Sequence, residues 1–171
     1  MLLKDYLQKS VILIILLLLF KGCGIYSFTG ASIDPKIKTI GIRYFPNRAE
    51  IIVPTLAQQF TDALKEKFRS QTKLREVNGS ADVVFEGEIT GYYTQSGAIQ
   101  GNDRPAKNRL TITIKVRYTN NIKAEDSWEQ SFSRYEEYGS TENITSIESK
   151  LILSITDQLT EDIFNKAFVN W

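Results

Sequence analysis

The residues of this chain that could do chemistry fall into three small groups. The lone cysteine, Cys23, follows Lys21 and Gly22 at the end of an apolar run. Two carboxylates, Glu86 and Glu88, sit two apart, the spacing that puts both on one face of a strand. Three cations, Arg104, Lys107 and Arg109, crowd into "GNDRPAKNR", with Lys115 and Arg117 beyond them. The chain has no histidine, which removes the commonest general base and the commonest metal ligand together. A nucleophile–base pair therefore lacks its usual base, and a zinc site lacks its cysteine–histidine cluster. Glu86 and Glu88 could mimic an acid–base pair, but solvated charges on a polar strand face are the commoner reading. Gly97 and Gly101 have no strand–loop–helix context around them, so no phosphate-binding glycine loop is expected. No enzymatic activity and no metal follow from these residues.

The cysteine carries more information. Val11 to Phe20 is an unbroken apolar run behind Lys4 and Lys9. A membrane-crossing helix needs about 20 mostly apolar residues, so this run is short for a span. It has the length of a secretory signal's apolar segment, roughly 7–15 residues behind a charged leader. Ending at Gly22-Cys23, it follows the bacterial lipoprotein pattern: cleavage before the cysteine, which then carries lipid as the first mature residue. Phe20 and Lys21 depart from the small and leucine residues usual at that site. An ordinary signal peptide with an incidental cysteine, or a retained anchor, is the alternative. An exported chain with one cysteine cannot form an internal disulfide, which favours lipidation at Cys23. No cofactor beyond that covalent lipid is expected.

Taking away residues 1–22, with Lys4, Asp5, Lys9 and Lys21, leaves 18 basic and 19 acidic residues of the original 21 and 20. That near-neutral balance gives no sign of a nucleic-acid partner, so any basic site must be local. Arg104, Lys107 and Arg109 are such a place. They could meet phosphates or an acidic surface through charge-assisted hydrogen bonds. Composition alone favours a soluble loop in which Asp103 is the counter-charge.

The elements that must position these groups read as one domain, 37–171, behind a tether, 23–36, containing Gly30, Ser32 and Pro35. "IKTIGIRYF" alternates as a half-buried strand, and Pro54 opens an amphipathic helix with Leu56, Phe60, Ala63, Leu64 and Phe68 on its apolar side. "KLREV" is a short extended piece before the turn Asn78-Gly79. "ADVVFEGEITGYY" places Ala81, Val83, Phe85, Gly87, Ile89 and Tyr93 on one face. After the polar loop "TQSGAIQGNDRPAKN", Leu110, Ile112, Ile114, Val116 and Tyr118 alternate with polar residues, so one face is buried and the other wet. "WEQSFSRYEEY" makes a third long strand with Trp128 and Phe132 inward. A helix from about Asn143 to Val169 carries Ile144, Ile147, Leu151, Ile155, Leu159 and Ile163, and Thr145 with Glu148 could cap it. The expected fold is α+β: a mixed or antiparallel sheet of about four strands, with two amphipathic helices packed on one face.

Taken together, "GCG", a strand–helix unit, "VVFEGEITGYY", a loop, "NRLTITIKVRY", a tryptophan-containing strand and a long C-terminal helix resemble the LptE family. The likeness spans the mature chain and is similar to Bacteroidetes-like members. It implies a non-enzymatic lipoprotein of the outer membrane, lipid-anchored and facing the periplasm. Such a protein plugs the large LptD β-barrel, assists its assembly, and aids transport of lipopolysaccharide to the cell surface. It also implies that basic residues of the loop before the third long strand meet lipopolysaccharide, here Arg104, Lys107 and Arg109. Gly101 stands where the family's basic residue aligns, so the implication is regional. The start "KTIGIRYFPN" suits almost equally an envelope lipoprotein that regulates a peptidoglycan synthase or belongs to a secretion assembly.

Overall fold

The structure, a computed structural model, describes residues 33–96 and 107–169. Strand β1 (Thr39–Ile42) leads to helix α1 (Leu56–Gln71), and a two-residue strand β2 (Arg75–Glu76) follows. Long strands β3 (Val83–Ser96), β4 (Lys107–Asn120) and β5 (Trp128–Gly139) then precede helix α2 (Ile144–Phe168). The sheet order is β2-β1-β3-β4-β5. β1 runs parallel to both its neighbours, while β3, β4 and β5 form an antiparallel meander. This is the expected α+β fold with a mixed sheet. The strand beyond the expected four is β2, formed where "KLREV" reads as merely extended.

Both helices cover one face, because alternate strand residues and every third or fourth helical residue are apolar. Phe68 of α1 stacks at 4.6 Å from Phe85 of β3, and Phe168 of α2 lies edge-on to Phe85 and Tyr118. Leu110, Ile112, Ile114 and Val116 are fully buried beneath them, as their alternation requires. On α2 the buried side is Leu151, Ile152, Ile155, Leu159, Ile163, Phe164 and Phe168. Lys67 and Glu161 link the two helices across their outer edge. Among the described residues no helix is long and apolar enough to cross a membrane.

Three local expectations change. Pro54 lies before the N-cap Thr55 and not inside α1. The start of α2 is capped by Asn143, whose side chain accepts from the Thr145 N–H at 3.0 Å, so no Thr145–Glu148 box forms. Glu148 instead accepts the Tyr92 hydroxyl at 2.6 Å. That contact depends on the third change. The β3–β4 register shifts between Ile89 and Gly91, leaving Thr90 as the extra residue of a bulge. Beyond it the faces exchange: Tyr92 turns inward at 5% exposure, and Tyr93, expected inward, turns out at 42%. Burial and the adjacent Glu148 push the Tyr92 phenol well above its ordinary range, so it stays a donor.

Asp82 staples the start of the sheet. Its Oδ2 accepts from the N–H groups of Lys38 and Thr39, each at 2.8 Å, and its own N–H donates to Thr39 Oγ1 at 2.9 Å. Those backbone donors, Lys38 first, hold the carboxyl below its usual value. A carboxylate with a depressed folded-state pKa stabilises above its unfolded value and loses that contribution as pH falls through the folded one. Urea unfolding of wild type and Asp82→Asn is therefore expected to show a stability gap that is constant at neutral pH. The gap should shrink progressively once pH drops below the ordinary 3.8. A gap that widens on acidification would contradict the staple.

Candidate functional site

The helix-free face of the sheet carries the charged residues. Lys107 and Arg109, expected on a loop, belong to β4 and continue the outward phase of Thr113, Lys115 and Arg117. The phase extends because β5 pairs with β4 without interruption from Tyr118↔Trp128 to Lys107↔Gly139. Glu137 lies directly across from Arg109. Its two oxygens divide between the cations, Oε2 to Lys107 Nζ at 3.1 Å and Oε1 to Arg109 Nη2 at 3.2 Å. Lys107, then Arg109, holds the Glu137 carboxyl below the usual carboxylate range. The Arg109 guanidinium also sits 3.8 Å over the Tyr135 ring, a cation–π contact that fixes its plane. One register step further in, Tyr93, Thr111 and Tyr135 form a row across three strands, with both tyrosine rings partly exposed beside a buried threonine.

A second cluster fills the middle of this face. Arg117 donates through Nε to Glu129 at 2.7 Å and through Nη1 to Glu86 at 3.3 Å, and Lys115 reaches Glu129 at 2.6 Å. These groups border a shallow groove of about 410 Å³ that Arg43, Tyr44 and Glu88 complete. Arg43 is turned to the carbonyls of Asn78 and Gly79, at 2.6 and 3.1 Å. Glu86 thus belongs to a self-compensated ladder of charge, committed to a guanidinium, while Glu88 only borders the groove. Lys115, then Arg117, keeps Glu129 ionised by lowering its pKa.

The family of this chain can be read on that geometry. A family model described as LptE, lipopolysaccharide-assembly, matches residues 37–167, from two residues before β1 nearly to the end of α2. The chain belongs to the LptE family. Two of the solved structures similar to it share its fold. One is the hypothetical protein CT253 from Chlamydia trachomatis, 9% identical, covering 78% of this chain and 99% of the other at a TM-score of 0.55. Another is a putative neuraminyllactose-binding hemagglutinin homolog from Helicobacter pylori, 10% identical, covering 82% and 88% at a TM-score of 0.54. No curated protein gives a significant sequence match.

For this LptE-family chain, two of the three cations expected to meet a ligand come together around Glu137. Arg104 lies outside the described residues, as do the expected signal segment 1–22, Cys23 and most of the expected tether. Tyr93, Tyr135 and Glu137 are the residues of the site that sequence reasoning missed. The signal for two of them was present: Tyr135 and Glu137 share the outward phase of β5 with Glu129.

Proposed function

We propose that this chain is an outer-membrane lipoprotein, acylated at Cys23 and facing the periplasm, that seats its domain inside a large LptD-type β-barrel. There it assists assembly of the barrel and helps pass lipopolysaccharide to the cell surface. The role is non-enzymatic, as befits a lipopolysaccharide-assembly family. The observation that carries the reading is the division of the sheet into one face sealed by two helices and one face of paired charges. A barrel large enough to hold a domain has a polar lumen. The ladder Glu86–Arg117–Glu129–Lys115 suits that surroundings, because its charges already neutralise one another and need little from the wall. Lipid A phosphates would find Lys107 and Arg109 at the end of the same face.

The test is a capture. Outer membranes are solubilised in detergent, the chain is recovered through a C-terminal tag, and bound proteins are identified. A large β-barrel protein in near-equal amount is the expected result. Recovery of a peptidoglycan synthase or a secretion component without a barrel would overturn the plug.

A further inference from the structure

We propose that the groove between α1 and α2 is the docking site of the chain's own segment 24–32, which precedes Ile33. This goes beyond the lipopolysaccharide reading and does not depend on it. The groove is a hollow of about 300 Å³ on the outer side of the helix layer. Gln59, Ala63 and Gln71 form one wall, and Leu153, Thr156 and Thr160 the other. Leu153, at 65%, is the most exposed large apolar residue among those described. Two side-chain oxygens in the walls, Gln59 Oε1 and Thr156 Oγ1, are buried without a hydrogen-bond partner among the described residues. Buried acceptors are costly to leave unpaired. An extended segment laid over the groove brings backbone N–H donors to it, within reach of a rotamer turn of Gln59.

Position and length single out the occupant. The described chain begins at Ile33, which is half-buried and borders a second hollow with Pro35, Ser70 and Gln71. Ser70 and Gln71 also line the groove, so the chain enters the domain where the groove ends, at the C-terminal end of α1. Going back along α1 from Ser70 to Gln59 covers about 16 Å, at 1.5 Å per helical residue. The five residues from Ile33 back to Phe28 span the same distance when extended, at about 3.3 Å each. Phe28 can therefore lie level with Gln59 and Leu153. The composition of the segment points the same way. A solvated tether is rich in Gly, Ser or Pro, yet 24–32 holds Ile25, Tyr26 and Phe28 among its small residues. Left in water, these side chains forgo the burial that the groove offers. Beyond Phe28, Tyr26 and Ile25 reach the start of α1, which Ile51 and Ile52 precede at 52% and 64% exposure. With Cys23 acylated, docking brings the anchor out at that end of the helix layer and fixes which side of the domain faces the bilayer.

The experiment places the photo-crosslinker p-benzoylphenylalanine at position 28 of the full chain. The detergent-solubilised protein is illuminated at two concentrations, and the adducts are mapped by mass spectrometry. Intrachain adducts to α1 and α2 around Ala63 and Leu153 are expected, with a yield independent of concentration. Ala63→Trp, which fills the groove, and Leu153→Asp, which makes it polar, should each lower that yield severalfold. Leu153 is exposed enough for its substitution to spare the fold, and an unchanged unfolding temperature checks this. Adducts confined to detergent, to a copurifying protein or to the charged face of the sheet would overturn the proposal. Adducts that fade on dilution would make the occupant a second copy and overturn it too. So would helix adducts that survive both groove variants, because the contact would then lie outside the groove. None of these outcomes bears on the capture of a barrel, so this inference and the lipopolysaccharide reading fail separately.

Discussion

Replacing Gly87 by alanine is expected to lower the unfolding temperature of the detergent-solubilised chain by about 6–12 °C, whereas Gly79→Ala should leave it nearly unchanged. Gly87 faces the core opposite Val116, at a position that alternation assigns to a large apolar side chain. A Cβ there would stand 2.0 Å from the carbonyl oxygen of Lys115 and 2.7 Å from Cε1 of Phe45. Neither neighbour has room to yield. The carbonyl belongs to the β3–β4 ladder, and Phe45 is fully buried, its ring edge-on to Phe60 at 5.2 Å. Phe45 is held from its backbone too, its N–H donating at 3.1 Å to Thr61 Oγ1 on α1. Overpacking of this kind costs about 3 kcal/mol or more where backbone must move. At Gly79 a Cβ meets nothing within 4 Å, so the paired measurement separates lost space from a general effect of removing glycine. Equal midpoints for the two variants would show that β3 and β4 can part at Gly87.

Phe45 and Gly87 also show where the sequence stops being informative. The alternation of "ADVVFEGEITGYY" identifies the inward face as far as Ile89, because hydrogen-bonded strands keep a period of two. It cannot reveal that Gly87 is a socket for a ring arriving from the loop after β1. Beyond Ile89 the chain itself is ambiguous. Two adjacent tyrosines can each continue the pattern, and only the pairing with β4 decides that Thr90 is skipped and Tyr92 enters. β2 escapes for a different reason: two residues, both exposed, carry no periodicity. Lys107 and Arg109 read as loop because the apolar half of their alternation begins only at Leu110. On β5, Arg134 and Glu136 share the phase of Trp128, Phe132 and Tyr138, which a sequence reading reserves for apolar residues. They are accommodated because α2 supplies Asp162 to one, and Ser154 and Gln158 to the other. Inward charges along an edge strand also discourage pairing with foreign strands. By contrast, the buried face of β4 and the apolar stripe of α2 follow from hydrophobic period alone, since each makes its contacts with a single side.

Cys23→Ala is expected to release the chain from the outer membrane and abolish its labelling by palmitate, with the fold of residues 37–167 unaffected. The expectation comes from sequence: an apolar run too short to span, ending at Gly22-Cys23, in a chain without a second cysteine. One acyl chain holds a protein only marginally, and stable anchoring needs a second attachment. A lipoprotein cysteine supplies several chains at one residue, each buried methylene contributing about 0.8 kcal/mol. The described domain offers no substitute, since its apolar helix faces are spent on the sheet and none of its helices can cross a bilayer. Binding inside a barrel and an uncleaved N-terminal run are the other routes to the membrane fraction, and the experiment separates them. Fractionation is therefore run with and without a wash that strips peripheral proteins, following label and protein together. Loss of label with the protein still retained after the wash would place the anchor in the partner if the chain has been shortened by cleavage, and in the N-terminal run if it has kept its full length. Persistent label in the variant would move acylation away from Cys23 and return the N-terminal run to an uncleaved anchor.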